Sequence, residues 1–185
     1  MSATTSLISG SIAHEYFLQF SNYICSPERL HKLASEFLHK IMAPDVMDGS
    51  QVGVDAQLGN WRNFAFYFGE ARVELKDLMS RSSKLDAGTV ISVTITRTTL
   101  LRAYSHLVID DADGGMLSPL AHRMLGKKLV MRGSVLFGWD NTTDKIVSFH
   151  SQADMITPML NLLGNLKDVS CVFSKARITP ECKFV

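Results

Sequence analysis

Few side chains in this sequence carry the chemistry of a reaction. His150 and Asp154 stand four residues apart in a segment with the period-two alternation of a strand, so both fall on one face. An imidazole beside a carboxylate is a pairing that acid–base catalysis uses. Asp45, His106 and Arg97 are the other isolated candidates. The parity of the segment argues against catalysis. Ser148 and Gln152 share the face of His150 and Asp154, while Val147, Phe149 and Met155 take the other. The apolar side of a strand meets the core, so the polar row is expected to point outward unless a bulge reverses the register. Asp110, Asp111 and Asp113 lack the glutamate of a calcium loop and read as a solvated turn. Cys25, Cys171 and Cys182 are widely spaced and form no CxxC, which fits a reducing compartment better than a disulfide framework. The sequence has no Gly-rich phosphate loop, HExxH or GxSxG, so no metal or cofactor is expected.

The strand that carries His150 is half of a hairpin. Residues 128–140 alternate Leu129, Met131, Val135, Phe137 and Trp139 with Val130, Arg132, Ser134 and Gly138, and a polar turn at 140–144 leads into the second strand. Gly133 and Gly138 sit inside this pattern as candidate bulge or bend positions. Upstream, Ile12, Tyr16, Phe17, Phe20, Tyr23 and Ile24 fall on one helical face over residues 11–24. Ser26-Pro27-Glu28 starts a second helix, with Leu30, Leu33, Ala34, Phe37, Leu38 and Ile41 at helical spacing and Pro44 as its stop. Residues 45–53 read as a loop. A third helix follows over 54–68, with Leu58, Trp61, Ala65 and Phe68 on its stripe and Gly69 as its C-cap. Residues 72–76 and the β-branched run 88–104 predict strands. Ser118-Pro119 starts a short helix ending at Gly126, and helical turns are predicted over 158–163 and 166–173.

The chain has 185 residues, 46% of them hydrophobic and 20% charged, enough for one well-packed domain. Residues 1–10 are small and polar and are expected to fray, leaving 11–185 as a single domain. The net charge of +1 gives no electrostatic footprint for nucleic acid. No apolar run is long enough to span a bilayer, and the first residues do not read as a signal peptide, so an intracellular location, nuclear or cytoplasmic, is expected. Helices first, then long strands, then a helical tail predict an α+β fold: N-terminal helices packed in a strongly curved antiparallel sheet, a cone or α+β barrel, with a short C-terminal helical tail.

Helices followed by such a sheet resemble the nuclear-transport-factor-2-like cone, whose superfamily includes ketosteroid isomerases and SnoaL-type polyketide cyclases. A closer resemblance is to the C-terminal domain of oomycete basic leucine-zipper (bZIP) transcription factors. Phe66-Tyr67-Phe68-Gly69, Ser92-Val93-Thr94-Ile95-Thr96, Leu125-Gly126, and Gly133-Ser134-Val135 with Phe137, Trp139 and Asp140 carry it. So do Asp154, Thr157-Pro158, Leu162-Leu163-Gly164 and Val172-Phe173, over a span from about Ala13 to the end. No basic region or zipper precedes the domain here, so the direct DNA binding of that family is not expected of this chain.

Two readings follow from the resemblance. In the first, the chain is a non-enzymatic interaction or ligand-sensing module, with the bulky side chains of the hairpin filling the cone. Tyr16, Phe20, Trp61, Trp139 and Arg97 would line a pocket for a hydrophobic small molecule, and Arg97 could instead snorkel past the core edge or reach an acid such as Asp154. A polar outer row of Thr94, Thr96, Arg132, Ser134, Ser148, His150 and Gln152 would form a homodimer or heterodimer face. In the second, the chain is an isomerase or cyclase with Asp154 as general base and Tyr16 or His150 polarising a bound carbonyl. The direction of the Asp154 side chain discriminates between them.

Overall fold

The computed structural model describes residues 3–109 and 115–185, with side chains from residue 9 onward. The aspartates at 110, 111 and 113 lie outside the described residues. Helix α1 (Ala3–Cys25) begins at Ala3 and includes residues 3–10. Helix α2 (Pro27–Ile41) starts with Pro27 in its first turn, where the missing N–H costs no hydrogen bond. It buries Ala34, Leu38 and Ile41; Leu33, expected on the same stripe, is exposed. Pro44 does not lead into a loop. Strand β1 (Met42–Asp48) begins directly after α2, turns through Gly49 at φ +60°, and returns as the short β2 (Gln51–Val52).

Helix α3 (Val54–Tyr67) follows, buries Gln57, Leu58, Trp61 and Phe64, and ends on extended Phe68 instead of a glycine cap. Two long strands, β3 (Ala71–Arg81) and β4 (Lys84–Thr94), form a hairpin. The β-branched run does not continue as strand to residue 104. The Thr96 hydroxyl accepts a hydrogen bond from Thr99 N and starts helix α4 (Arg97–Ala103), which turns Leu100 and Ala103 into the core. Here a capping threonine and helical spacing of apolar residues override β propensity. A two-stranded ribbon, β5 (Val108–Ile109) with β6 (Met116–Leu117), leads to helix α5 (Pro119–Met124). The principal hairpin, β7 (Lys128–Asp140) and β8 (Lys145–Ala153), is followed by helices α6 (Ile156–Leu163) and α7 (Leu166–Phe173).

Six strands make one sheet in the order β2-β1-β8-β7-β4-β3, antiparallel except where β1 runs parallel to β8. Pairing of β1 with β8 is irregular between Met42 and Met47, where Pro44 has no N–H to give. The inward rows run across three strands: Leu85 with Phe137 and Phe149, Ala87 with Val135 and Ser151, Thr89 with Gly133 and Ala153. Helices α1 and α3 lie in the hollow these rows form, and one continuous apolar cluster joins helices and sheet.

A bulge alters the expected parity of β8. Gly138 pairs with Ser148 and Trp139 with Ile146, so Val147 is skipped. Ile146 is buried and Val147 exposed, the reverse of simple alternation. Gly138 makes room for this crossing: a Cβ there would lie 1.9 Å from Ser148 Oγ. At Gly133 a Cβ would meet Thr89 Oγ1 at 2.8 Å and the backbone oxygen of Gln152 at 2.9 Å. A serine hydroxyl can rotate away, and a paired backbone carbonyl cannot. Gly133→Ala is expected to lower stability by about 2 kcal/mol or more, with Thr89→Ala giving little rescue. Gly138→Ala should be milder and largely relieved by Ser148→Ala, as a double-mutant cycle in urea will show.

Candidate functional site

The cone is not filled by its own side chains. A cavity of about 420 Å³ opens between the helices and the sheet. Its helix side is built by Tyr16, Phe17 and Phe20 of α1 and by Gln57, Asn60, Trp61 and Phe64 of α3. Its sheet side is built by Thr89 and Ile91 of β4, Val135 of β7, and Phe149 and Ser151 of β8. The mouth is rimmed by the β1–β2 turn, Asp48 to Gln51, and by Cys182, Lys183 and Phe184 of the C-terminal segment. That segment is tied to the end of β8, with Ala153 N donating to Glu181 O and Met155 N to Pro180 O.

Tyr16 is the centre of the aromatic packing. Its ring lies 5.3 Å from Trp61, 5.4 Å from Phe137 and 5.5 Å from Phe149, centroid to centroid. Trp61 Nε1 donates to Tyr16 Oη at 2.9 Å, so the indole N–H is satisfied inside the core. Burial raises the Tyr16 phenol well above its ordinary value; the Trp61 hydrogen bond opposes this, and the nearby Asp48 charge adds to it. Tyr16 is therefore a neutral hydroxyl at physiological pH. Gln57 is buried, and its Nε2 donates to Asp48 Oδ2 at 3.1 Å; Asn60 Nδ2 donates to Gln51 Oε1 at 3.1 Å. These two bonds fix the rim turn to α3. Burial pushes the Cys182 thiol up to about 12, so it is a protonated, poorly nucleophilic group.

Of the residues singled out from the sequence, Tyr16, Phe20, Trp61, Ser134 and Gln152 contribute to the lining of this cavity and Trp139 and Arg97 do not. Trp139 is buried beyond it, and its Nε1 has no hydrogen-bond partner among the described residues. Arg97 stands at the exposed start of α4 and donates to Gly115 O at 2.7 Å, so it neither snorkels from a strand nor reaches Asp154. His106 sits in a 3-10 turn and bonds Cys171 O at 3.0 Å, and Asp45 is exposed on β1. Arg132, His150 and Gln152 are exposed, and Thr94, Ser134 and Ser148 are partly covered; Ser134 and Gln152 also reach the cavity lining, and with Arg132 and Asp154 they line a second, more open cleft. Thr96 is outside that row because it caps α4.

Asp154 is exposed and absent from the lining of the inner cavity. Its carboxylate accepts Thr157 N at 3.1 Å and Thr157 Oγ1 at 2.5 Å, which secures the first turn of α6. The Thr157 hydroxyl and then the Thr157 N–H hold its pKa below the usual carboxylate range. A general base needs the opposite, a carboxylate beside the substrate with a pKa brought up toward neutrality. The signal was in the sequence as Asp-x-x-Thr-Pro, the spacing of a helix-start box. Gln57, Thr89 and Ser151 are cavity residues that periodicity did not single out; the signal was a polar side chain on an otherwise apolar face.

Among the described residues no three His, Cys, Asp or Glu side chains gather into a metal-binding group, the three cysteines are unpaired, and no helix is long and apolar enough to cross a membrane.

Two substitutions check these assignments. Asp154→Ala should cost about 1 kcal/mol at pH 7, and Asp154→Asn, which also caps, much less. Because the folded pKa is depressed, the carboxylate's contribution is present above about pH 4 and is lost as pH falls through the folded value. The stability gap between wild type and Asp154→Ala therefore closes in acid, while Asp154→Asn keeps its cap there. Trp139→Phe removes an unpaired buried donor, so equilibrium unfolding should show it within about 1 kcal/mol of wild type despite the lost volume.

With this geometry established, the chain can be placed among known proteins. The family described as the BZIP transcription factor 1 C-terminal domain matches residues 11–67. No curated protein matches the sequence. A SnoaL-like polyketide cyclase from Agrobacterium tumefaciens superposes with a TM-score of 0.56 at 15% identity, over 84% of this chain and 97% of the other. TsrD from Streptomyces laurentii gives 0.53 at 12% identity, over 84% and 97%. An NTF2-like protein from Anabaena variabilis gives 0.50 at 14% identity, over 83% and 92%. The chain has the nuclear-transport-factor-2-like, SnoaL-like cone fold, and its first three helices carry the match to the bZIP-associated C-terminal domain.

Proposed function

We propose that this chain is a ligand-sensing module, related to the C-terminal domain of bZIP transcription factors, that holds a small hydrophobic molecule in its cone without converting it. The observation that carries this reading is the cavity itself. It is of ligand size, aromatic on its helix side, and furnished with polar groups on both walls. Its lining offers little for proton abstraction: the Cys182 thiol is held protonated, and the carboxylate present, Asp48, is engaged by Gln57. In this reading the outer row of Arg132, Ser134, His150 and Gln152 passes the ligand-bound state to a second copy or to a related zipper protein, in the nucleus or cytoplasm.

A cyclase or isomerase is the second reading. One observation favours it: a carboxylate, Asp48, and the Tyr16 hydroxyl share one cavity. Asp48, not Asp154, would then be the base.

The test is saturable binding of neutral bicyclic probes such as 2-naphthol, read by Trp61 fluorescence in a Trp139→Phe background. The expected outcome is binding with a rise in Tm, probe recovered unchanged by mass spectrometry, and loss of binding in the cavity-filling variant Ser151→Leu. Failure of every neutral probe to bind sinks the module reading. Conversion of a cyclisable or enolisable ketone that Asp48→Asn abolishes replaces it with the enzyme.

A further inference from the structure

The mouth of the cavity is closed in part by a piece of chain with a fold of its own. Residues 177–185 make a small hairpin. Ile178 bridges Phe184, Val185 N donates to Arg177 O at 2.9 Å, and Thr179 N donates to Lys183 O at 2.7 Å. Cys182 N donates to Thr179 O at 2.9 Å across a turn with Pro180 in its second position, where a proline is pre-set for the bend. Lys183 N donates to the Thr179 hydroxyl at 3.1 Å. Cys182 stands at φ +61°, the left-handed place that closes a hairpin of this kind and that glycine usually fills. The hairpin therefore keeps its shape through bonds within itself.

Root and tip are held differently. At the root Ile178 is 1% exposed and Arg177 N donates to Ala103 O at 2.9 Å. The tip is held by less. Ala153 N and Met155 N donate to Glu181 O and Pro180 O, and the Phe184 ring stacks on Tyr67 at 5.6 Å and meets Phe64 edge-on at 6.5 Å. Glu181 and Lys183 make no ion pair among the described residues. A self-contained unit with few outside contacts opens at a lower free energy than the domain unfolds. The tip also stands between two spaces. Cys182, Lys183 and Phe184 line the inner cavity, and Pro180 and Glu181 line the outer cleft with Arg132 and Asp154. We propose that residues 179–185 are a gate, which swings on Arg177 and Ile178 and opens the cavity while the rest of the domain stays folded. As the entrance for a ligand the gate rests on the ligand-sensing reading; as a moving part it does not.

Cys182 is a built-in reporter, because its thiol is covered while the gate is shut. With Cys25→Ser and Cys171→Ser in place it is the sole thiol of the full chain. Its reaction with the chromogenic disulfide dithiobis(nitrobenzoate) is followed against urea concentration, with the unfolded chain as reference. The thiol is expected to react about 100- to 10,000-fold more slowly than in the unfolded chain, yet at least about tenfold faster than global unfolding of the same protein allows. The rate should vary little with urea, because opening the gate exposes little surface. Phe184→Ala removes the ring that docks the tip and should raise the rate by about 10- to 100-fold with a small change in the urea midpoint; Phe184→Tyr, which keeps the ring, should stay near wild type. A rate and urea dependence that match global unfolding overturn the gate. So does reaction at the rate of the unfolded chain, or a rate that Phe184→Ala leaves unchanged. No probe ligand takes part, so failure of the neutral probes to bind sinks the module reading and leaves the gate standing.

Discussion

The Tyr16–Trp61 hydrogen bond is the constraint around which the molecule is arranged. It joins α1 to α3 inside the hollow of the sheet, and the same tyrosine ring packs on Phe137 and Phe149 of the sheet. A strongly curved sheet presents a concave apolar face that must be covered, and two helices held at a fixed separation cover it without closing it. If the helices packed directly on all the inward rows, no space would remain. The polar pair ties α1 to α3 at one point, since indole N–H and phenol O meet at hydrogen-bond distance. The cavity's walls are the rings that the pair holds in position and the short side chains, Thr89, Ser151 and Ala153, that fail to reach across.

The hairpin contributes through what it omits. Gly133 and Gly138 are places where a Cβ would collide with a neighbour, one beside a bond in the ladder and one at the bulge. The bulge at Val147 rotates the far end of β8, so Ile146 enters the core beside Trp139 while Phe149, Ser151 and Ala153 keep their inward direction. Strong local twist at the turn end and a side-chain-free notch at Gly133 bend the ribbon around the helices. The concave and convex faces thus remain distinct along its length. That is why His150 and Asp154 stay outside the cavity.

Much of this was legible in residue order. Period-two alternation placed the β7 row correctly because that strand has one buried face throughout. Pro27 in the first turn of α2, and the Ser118 cap and the turn at Gly126 for α5, marked these helices from local chemistry, although the Ser26 hydroxyl makes no capping bond. The misses share a cause. Residues 97–104 read as strand from their composition, yet one hydroxyl at Thr96 was enough to start a helix, with tertiary burial of Leu100 completing it. Met42 to Asp48 read as loop because it pairs with β8, a partner a hundred residues away that no local pattern announces. Trp139 and Arg97 were placed at a pocket by residue type, and only three-dimensional arrangement shows that the pocket is elsewhere. The hollow itself was illegible, since a void is set by the spacing of elements and not by any residue.

The division of the likenesses bears on function. The match to the bZIP-associated domain covers residues 11–67, from α1 through α3, while the three solved structures named above cover 83–84% of the chain at 12–15% identity. Identity that low speaks for the shape alone. The segment with a specific match holds Tyr16, Phe20, Gln57, Trp61 and the Asp48 rim, which is the helix wall of the cavity. The matched segment thus includes the helix wall of the cavity. The carboxylate of Asp154, where a base late on the last strand would have been sought, is spent on starting α6. The cone keeps an aromatic, hydrogen-bonding helix wall and uses that acid at the start of α6. Among the described residues lining the cavity the one carboxylate is Asp48, at the rim and already in the hydrogen bond that fixes the mouth.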